Sequence, residues 1–278
     1  MKIPQAIKAL SLVKEPSLGP YPPLGFIAVA DAELGNGDYF GLYWPLGKEN
    51  SEPVVCDMIH DESMLSLEFS NVDVFVKWLE LNDYERDEQE VDDDACASTI
   101  FHKAQQLYRN NSVEPAIELL EQACHCFGEI SEYWFALATQ SRRIGNDERA
   151  AQAALKAFQA NWMFGCPEQG VIAMLKNPRY QEYLQGDPVI SRMAQMEFDF
   201  GGQKHNPIYP LLKECVNDYF NANQPVQALL LYQNYAYMMR AETSSFQERY
   251  EFDLSSWQSE FGALCAEHLG SDRKFSQL

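Results

Sequence analysis

The sequence predicts an α+β N-terminal domain, a small antiparallel-type sheet with a packed helix, followed by an all-α helical-repeat domain. Three observations carry that expectation. Short β-rich runs divided by turn residues fill the segment after Gly25, a dense acidic stretch follows Leu79, and Ser98 to Gly165 can be laid over itself with an offset of 34 residues. The expected limits are residues 1–82 for the first domain, 83–97 for an acidic linker, and 98–278 for the repeats, with an irregular segment at about 166–207.

Residues 1–24 open with a short amphipathic piece, Ile3 to Val13, and a loop broken by Pro16, Pro20, Pro22 and Pro23, which suit neither helix nor ladder. Then come GFIAVADAEL, the aromatic run GNGDYFGLYWPL entered through Asn36-Gly37, and PVVCDMIHD. Short β-branched and aromatic runs separated by a strong turn dipeptide read as a β-meander. From Leu65 to Leu81 the apolar residues Leu67, Phe69, Val72, Phe75, Val76 and Leu79 fall at mostly three- and four-residue intervals, which predicts one helix lying on the sheet. Between Glu80 and Asp94 nine acidic residues stand against Arg86 alone, and self-repulsion favours an extended linker there.

In the self-similar stretch Ala104 falls on Ala138, Ala116 on Ala150 and Ala123 on Ala157. Small residues at these offsets let paired helices approach closely, which is the physical basis of a helical solenoid. Helices are expected at about Thr99–Asn110, Val113–Cys126, Glu132–Ile144 and Glu148–Gln159, with Asn110-Asn111 and Gly145-Asn146 as turns. A third pair from Ile208 to Arg240 places Ala228 at the small position, 78 residues beyond Ala150, and Phe246 to Leu269 would cap the stack. Trp134, Leu137, Ala138, Gly145, Ala150 and Ala157 resemble the tetratricopeptide pattern, although Gly128 and Trp162 stand where its closing proline is usual. That resemblance implies a binding face along the first helix of each pair, here Ser98, Phe101, Gln105 and Tyr108, then Glu132, Phe135, Thr139 and Arg142.

Within residues 20–82 the order Gly37-Asp38-Tyr39-Phe40-Gly41-Leu42, Pro53-Val54-Val55, His60-Asp61-Glu62 and LSLEFSNVDVFVKWL resembles the second half of the SUKH superfamily domain, though that family's N-terminal helix has no clear match before Gly25. Many members look like immunity proteins that bind and block toxins, so the resemblance implies a protein partner and no chemistry of the chain's own. On that reading Asp38, Tyr39, Tyr43, Trp44, His60, Asp61 and Glu62 contribute to the contact surface.

Composition narrows the classes. An apolar fraction of 46% and aromatics at 13% indicate a folded chain, and 41 acidic against 21 basic residues give a formal charge of −20, which repels phosphate backbones and anionic lipid. A basic partner, such as a nuclease-like toxin, would be attracted. Seven cysteines without framework spacing fit a reducing compartment, and the absence of a signal-peptide core or an apolar run of about 20 residues leads to a cytoplasmic expectation with no membrane contact.

No Gly-rich phosphate loop, nucleophile elbow or HExxH occurs. Cys124-His125-Cys126 lies in a helical pattern that cannot turn three ligands inward, so one buried cysteine beside two surface positions is expected and no metal. His60-Asp61-Glu62 lacks a neighbouring nucleophile. The sequence therefore predicts a non-catalytic protein-binding protein without cofactor, an immunity protein that neutralises a toxin, with a general repeat scaffold as the alternative and an enzyme with a hidden site as a third class.

Overall fold

The computed structural model describes residues 24–33, 37–59, 64–83, 91–198 and 204–273. Strands β1 (Phe26–Glu33), β2 (Tyr39–Tyr43), β3 (Val54–Ile59) and β4 (Met64–Phe69) form one antiparallel sheet in sequence order. The register pairs Ile27 with Leu42 and Leu42 with Val55, and irregularities interrupt it after Ala28 and at Val55.

One expectation is corrected at β4. Leu65 to Leu81 is not a single helix, because Leu65, Leu67 and Phe69 alternate into the core as a strand before helix α1 (Val72–Leu81) begins. Asn71 caps that helix, its side-chain oxygen accepting from the Val74 amide at 3.1 Å. A period of two meeting a period of 3.6 at a capping residue mimics one amphipathic run.

Both faces of the sheet are covered. Phe40, Leu42 and Trp44 face α1, where Phe40 packs 5.4 Å from the Trp78 ring. Phe26, Tyr39, Tyr43, Cys56 and Met58 face the helical array and join its core. The core thus crosses the expected limits at 82 and 98, and in the acidic stretch Asp93 accepts from the amide and hydroxyl of Ser70, both at 2.7 Å.

The array begins with α2 (Ala97–Arg109) and α3 (Val113–Cys126), then α4 (Ser131–Arg143) and α5 (Asp147–Gln159). After a 3-10 turn at Trp162–Phe164, the irregular segment holds the short helices α6 (Gln169–Lys176), α7 (Pro178–Gln181) and α8 (Pro188–Arg192), with further 3-10 turns at Glu182–Leu184 and Met193–Gln195. The third pair, α9 (Ile208–Asn221) and α10 (Pro225–Arg240), precedes α11 (Ser244–Arg249) and α12 (Leu254–Leu269). Ala104, Ala116, Ala123, Ala138, Ala150, Ala157 and Ala228 all have zero exposure, so the positions aligned by the offset are the ones where helices touch.

The three pairs share one turn. Asn111, Gly145 and Asn223 adopt positive φ of 61°, 76° and 56°. After each, an amide reaches back five residues to a carbonyl: Ser112 to Leu107, Asn146 to Ser141, and Gln224 to Tyr219, at 2.9, 2.9 and 2.8 Å. This left-handed closure satisfies carbonyls at the helix end, and it needs Gly or Asn. The final helix packs Trp257 and Phe261 against Tyr232, whose hydroxyl donates to Glu260 at 2.8 Å.

Two buried polar knots tie the sheet to the array. Glu129, between α3 and α4, accepts from the Tyr43 hydroxyl at 2.5 Å, the Leu46 amide at 2.6 Å and the Asn161 side-chain amide at 2.9 Å. Burial, and next the charge of Glu129, push the Tyr43 phenol well above its ordinary value. Near the other end of the chain Arg273, fully buried, donates to Glu49 and to the carbonyls of Trp44, Pro45 and Leu24, while its own carbonyl accepts from the Gly25 amide. A guanidinium buried this way is tolerated because both terminal nitrogens are met by a carboxylate and carbonyls, although its Nε finds no hydrogen-bond partner.

Candidate functional site

The residues expected on the first-helix face are placed as follows. Phe101 is buried, stacked on Tyr133 with ring centroids 4.4 Å apart. Phe135 is half-buried beneath α6, and a side chain at Gly170 would meet its ring at 2.3 Å. Gln105, Tyr108 and Thr139 are half-buried, with Tyr108 bonded to Gln105 and its phenol raised by desolvation, while Glu132 and Arg142 are exposed. Although Glu132 is exposed as a residue, partial desolvation of its carboxyl, and next the charge of Glu168, raise that group. The chain's own α6 therefore occupies part of this face.

The sheet candidates are corrected too. Tyr39, Tyr43 and Trp44 are buried on one sheet face or the other and offer no surface to a partner, because the chain supplies cover on both sides. Asp38 is half-buried at the entry to β2, and His60, Asp61 and Glu62 lie outside the described residues. Cys124 is buried, with His125 and Cys126 exposed, and no group of metal-capable side chains forms among the described residues.

The opposite face, built from second helices, is open. A cavity of about 890 Å³ lies where the loop after β2, the end of α3, the face of α5 and the start of α10 converge. Its apolar walls are Leu46, Trp134, Leu137, Ala153, Val226 and Leu230, and the Trp134 indole N–H donates to the Gly128 carbonyl at 2.9 Å, which fixes the ring. Four of its polar groups come from one stripe of α5. Arg149, Gln152, Lys156 and Gln159 recur at three- and four-residue spacing, so a helix must turn them the same way. The Asn146 cap, accepting from the Arg149 amide at 3.0 Å, sets where that stripe starts.

The charges there are unequal in their engagement. Glu129 is held by its three internal donors, and Glu121 pairs with Arg149 at 3.1 Å. Lys48 reaches the His125 carbonyl at 3.4 Å. The Lys156 ammonium makes no hydrogen bond or ion pair among the described residues, and desolvation lowers it while the charge of Asp187 acts against that. An apolar cavity of this size with a few convergent polar groups is the usual form of a ligand site. Sequence reading passed over it, and the one available signal was the spacing of Arg149 and Lys156, two turns apart on a helix otherwise rich in alanine, in a chain of charge −20.

The fold and cavity define an α+β head knotted to an array of paired helices, with its open face on the second helices. The chain belongs to the YfbP family: residues 13–88 match the YfbP N-terminal domain and residues 199–274 the YfbP C-terminal domain. It is 43% identical over 259 residues to the uncharacterized protein YfbP of Escherichia coli (strain K12), covering 92% of each chain. This overturns the SUKH resemblance, since the segment that carried it belongs to the YfbP N-terminal domain. The Gly37, Pro53 and Leu65 pieces are what any antiparallel meander followed by a helix requires. Among solved structures, the crystal structure of the APC/C hetero-tetramer Cut9-Hcn1 aligns with 70% of this chain at 15% identity and a TM-score of 0.26. The chain spans about a third of that protein's length (33%).

Proposed function

We propose that this protein is a non-catalytic protein-binding module that engages a partner protein at the second-helix cavity. The observation that carries the reading is that cavity itself: apolar walls, a lysine with no bonded acceptor among the described residues, and a position where head, repeats and third helix pair all contribute. The first-helix face, by contrast, is partly filled by α6. A general scaffold or adaptor role fits this arrangement. Toxin neutralisation rested on the SUKH resemblance and loses its support with it. A reducing, cytoplasmic location belongs to the same proposal, supported by seven free cysteines, five of them buried. No helix of the described residues is long and apolar enough to cross a membrane.

The test is site-specific photocrosslinking in the native host. A photoreactive residue at Gln227, beside the cavity, is expected to capture a discrete protein, and one at Thr139 on the first-helix face is not. Capture from Thr139 alone would contradict the reading, and so would turnover of a substrate by the purified chain that is lost with Lys156→Gln.

A further inference from the structure

We infer that the segment received by this cavity is one in which a large apolar side chain stands beside a carboxylate. The inference rests on the binding role proposed above and names the chemistry of the partner.

The cavity is selective by sign. Its two carboxylates are already engaged, Glu129 by three donors inside the protein and Glu121 by Arg149. A cationic group entering from a partner would have to compete with Arg149 for Glu121, would find Glu129 bonded internally, and would face Lys156 and Lys48. An incoming carboxylate meets the reverse situation, since Lys156 has donors to give and no acceptor bonded to them among the described residues. The Gln227 side chain lies in the same wall and supplies further amide donors, and Gln152, which donates to Glu148 at 3.2 Å, keeps a second N–H. Trp134, Leu137 and Leu230 provide a dry surface for an apolar side chain next to that charge. Placing the ion pair against apolar walls strengthens it relative to one in open water.

The sign matters because it runs against the whole molecule. A formal charge of −20 draws basic proteins to the surface in general, yet both carboxylates of this cavity already have partners within the protein. A partner that binds here is recognised locally, by a short acidic and apolar stretch, and not through its overall charge. The cavity is open to solvent, which suits a segment projecting from a larger surface.

The experiment titrates the full chain into fluorescein-labelled peptides followed by anisotropy. The probe is GSDLFESG, with a GSNLFQSG counterpart lacking the charges, a GSKLFKSG counterpart of opposite sign, and dodecanoate as a free amphipathic anion. The acidic peptide is expected to bind, the amide version about tenfold more weakly, as for loss of one charge-assisted hydrogen bond. Lys156→Gln should erase the difference between the two, while Lys103→Gln, a surface lysine paired with Asp94, should leave it intact. Thermal melts matching wild type confirm that each variant folds. The inference is overturned if the acidic peptide fails to bind, if the lysine version binds as well, if Lys156→Gln changes nothing, or if dodecanoate alone occupies the cavity. A partner crosslinked from Gln227 with no preference for the acidic peptide would sink this inference and leave the binding role standing; a partner crosslinked only from Thr139 would sink both.

Discussion

The two faces of the repeat array are built from the same helix pairs and end up with opposite fates. On the first-helix side, Phe101 is stacked away against Tyr133 and Phe135 lies under Gly170 of α6. On the second-helix side, α5 and α10 diverge around a cavity that the sheet's own loop helps to wall. The comparison teaches that a repeat pattern fixes how helices pair, while the segments appended to it decide which face stays available. Here the insertion after α5 covers one face, and the head frames the other.

The framing depends on the buried knots, so the largest effect is expected there. Arg273→Ala would leave Glu49 buried without its cation and the carbonyls of Trp44 and Pro45 without their donor. Breaking a buried pair from one side costs about 3–5 kcal/mol. Urea unfolding should show that loss, together with loss of binding at the cavity, because Pro45 and Lys48 form its wall. A change within about 0.5 kcal/mol, the range of an ordinary surface substitution, would mean the head is held by the apolar junction alone.

A smaller effect separates the faces directly. Gly170→Val would drive a side chain into the Phe135 ring, where even one added carbon has 2.3 Å. Overpacking of this kind costs about 1–3 kcal/mol. The account predicts a lowered melting temperature with unchanged binding at the cavity. If binding falls in proportion, the faces are coupled and the comparison drawn here is too simple.

The smallest effect is electrostatic and lies on the first-helix face. The folded Glu132 carboxyl sits above its ordinary value of 4.5, through partial desolvation and then the charge of Glu168. A raised carboxyl favours the fold below its unfolded value, and that contribution disappears as pH rises through the folded one. Glu132→Gln should therefore flatten the pH dependence of stability just above pH 4.5 and leave binding alone. A steeper profile in the variant would contradict the assignment.

How much of this was legible in the sequence follows from how local each signal is. The alanines at an offset of 34 mark contacts within and between neighbouring pairs, and all are fully buried. Asn111 and Gly145 announce their turns because few other residues tolerate that backbone. Strand β4 was hidden because Leu65, Leu67 and Phe69 run into the helical spacing of Val72 and Phe75. The alternation of Tyr39, Phe40, Tyr43 and Trp44 was readable, but its meaning depended on what covers each face, and the cover on one side comes from helices more than fifty residues away. The cavity had least signal of all. Leu46, Lys156 and Leu230 meet only because Glu129, Asn161 and Asn234 bridge elements distant in sequence: the Asn234 side chain bonds the Ala160 carbonyl and the Trp162 amide at 2.8 and 2.9 Å. Single polar residues acting across such separations leave no period to detect.

The central claim, that partners bind on the second-helix face, is tested most directly by calorimetry with the protein captured through Gln227. Leu230→Glu should reduce its affinity by tenfold or more, since it places a charge in the apolar wall against the incoming segment, whereas Tyr108→Glu on the first-helix face should leave affinity unchanged. The reverse order of effects, with Tyr108→Glu abolishing binding and Leu230→Glu tolerated, would contradict the account.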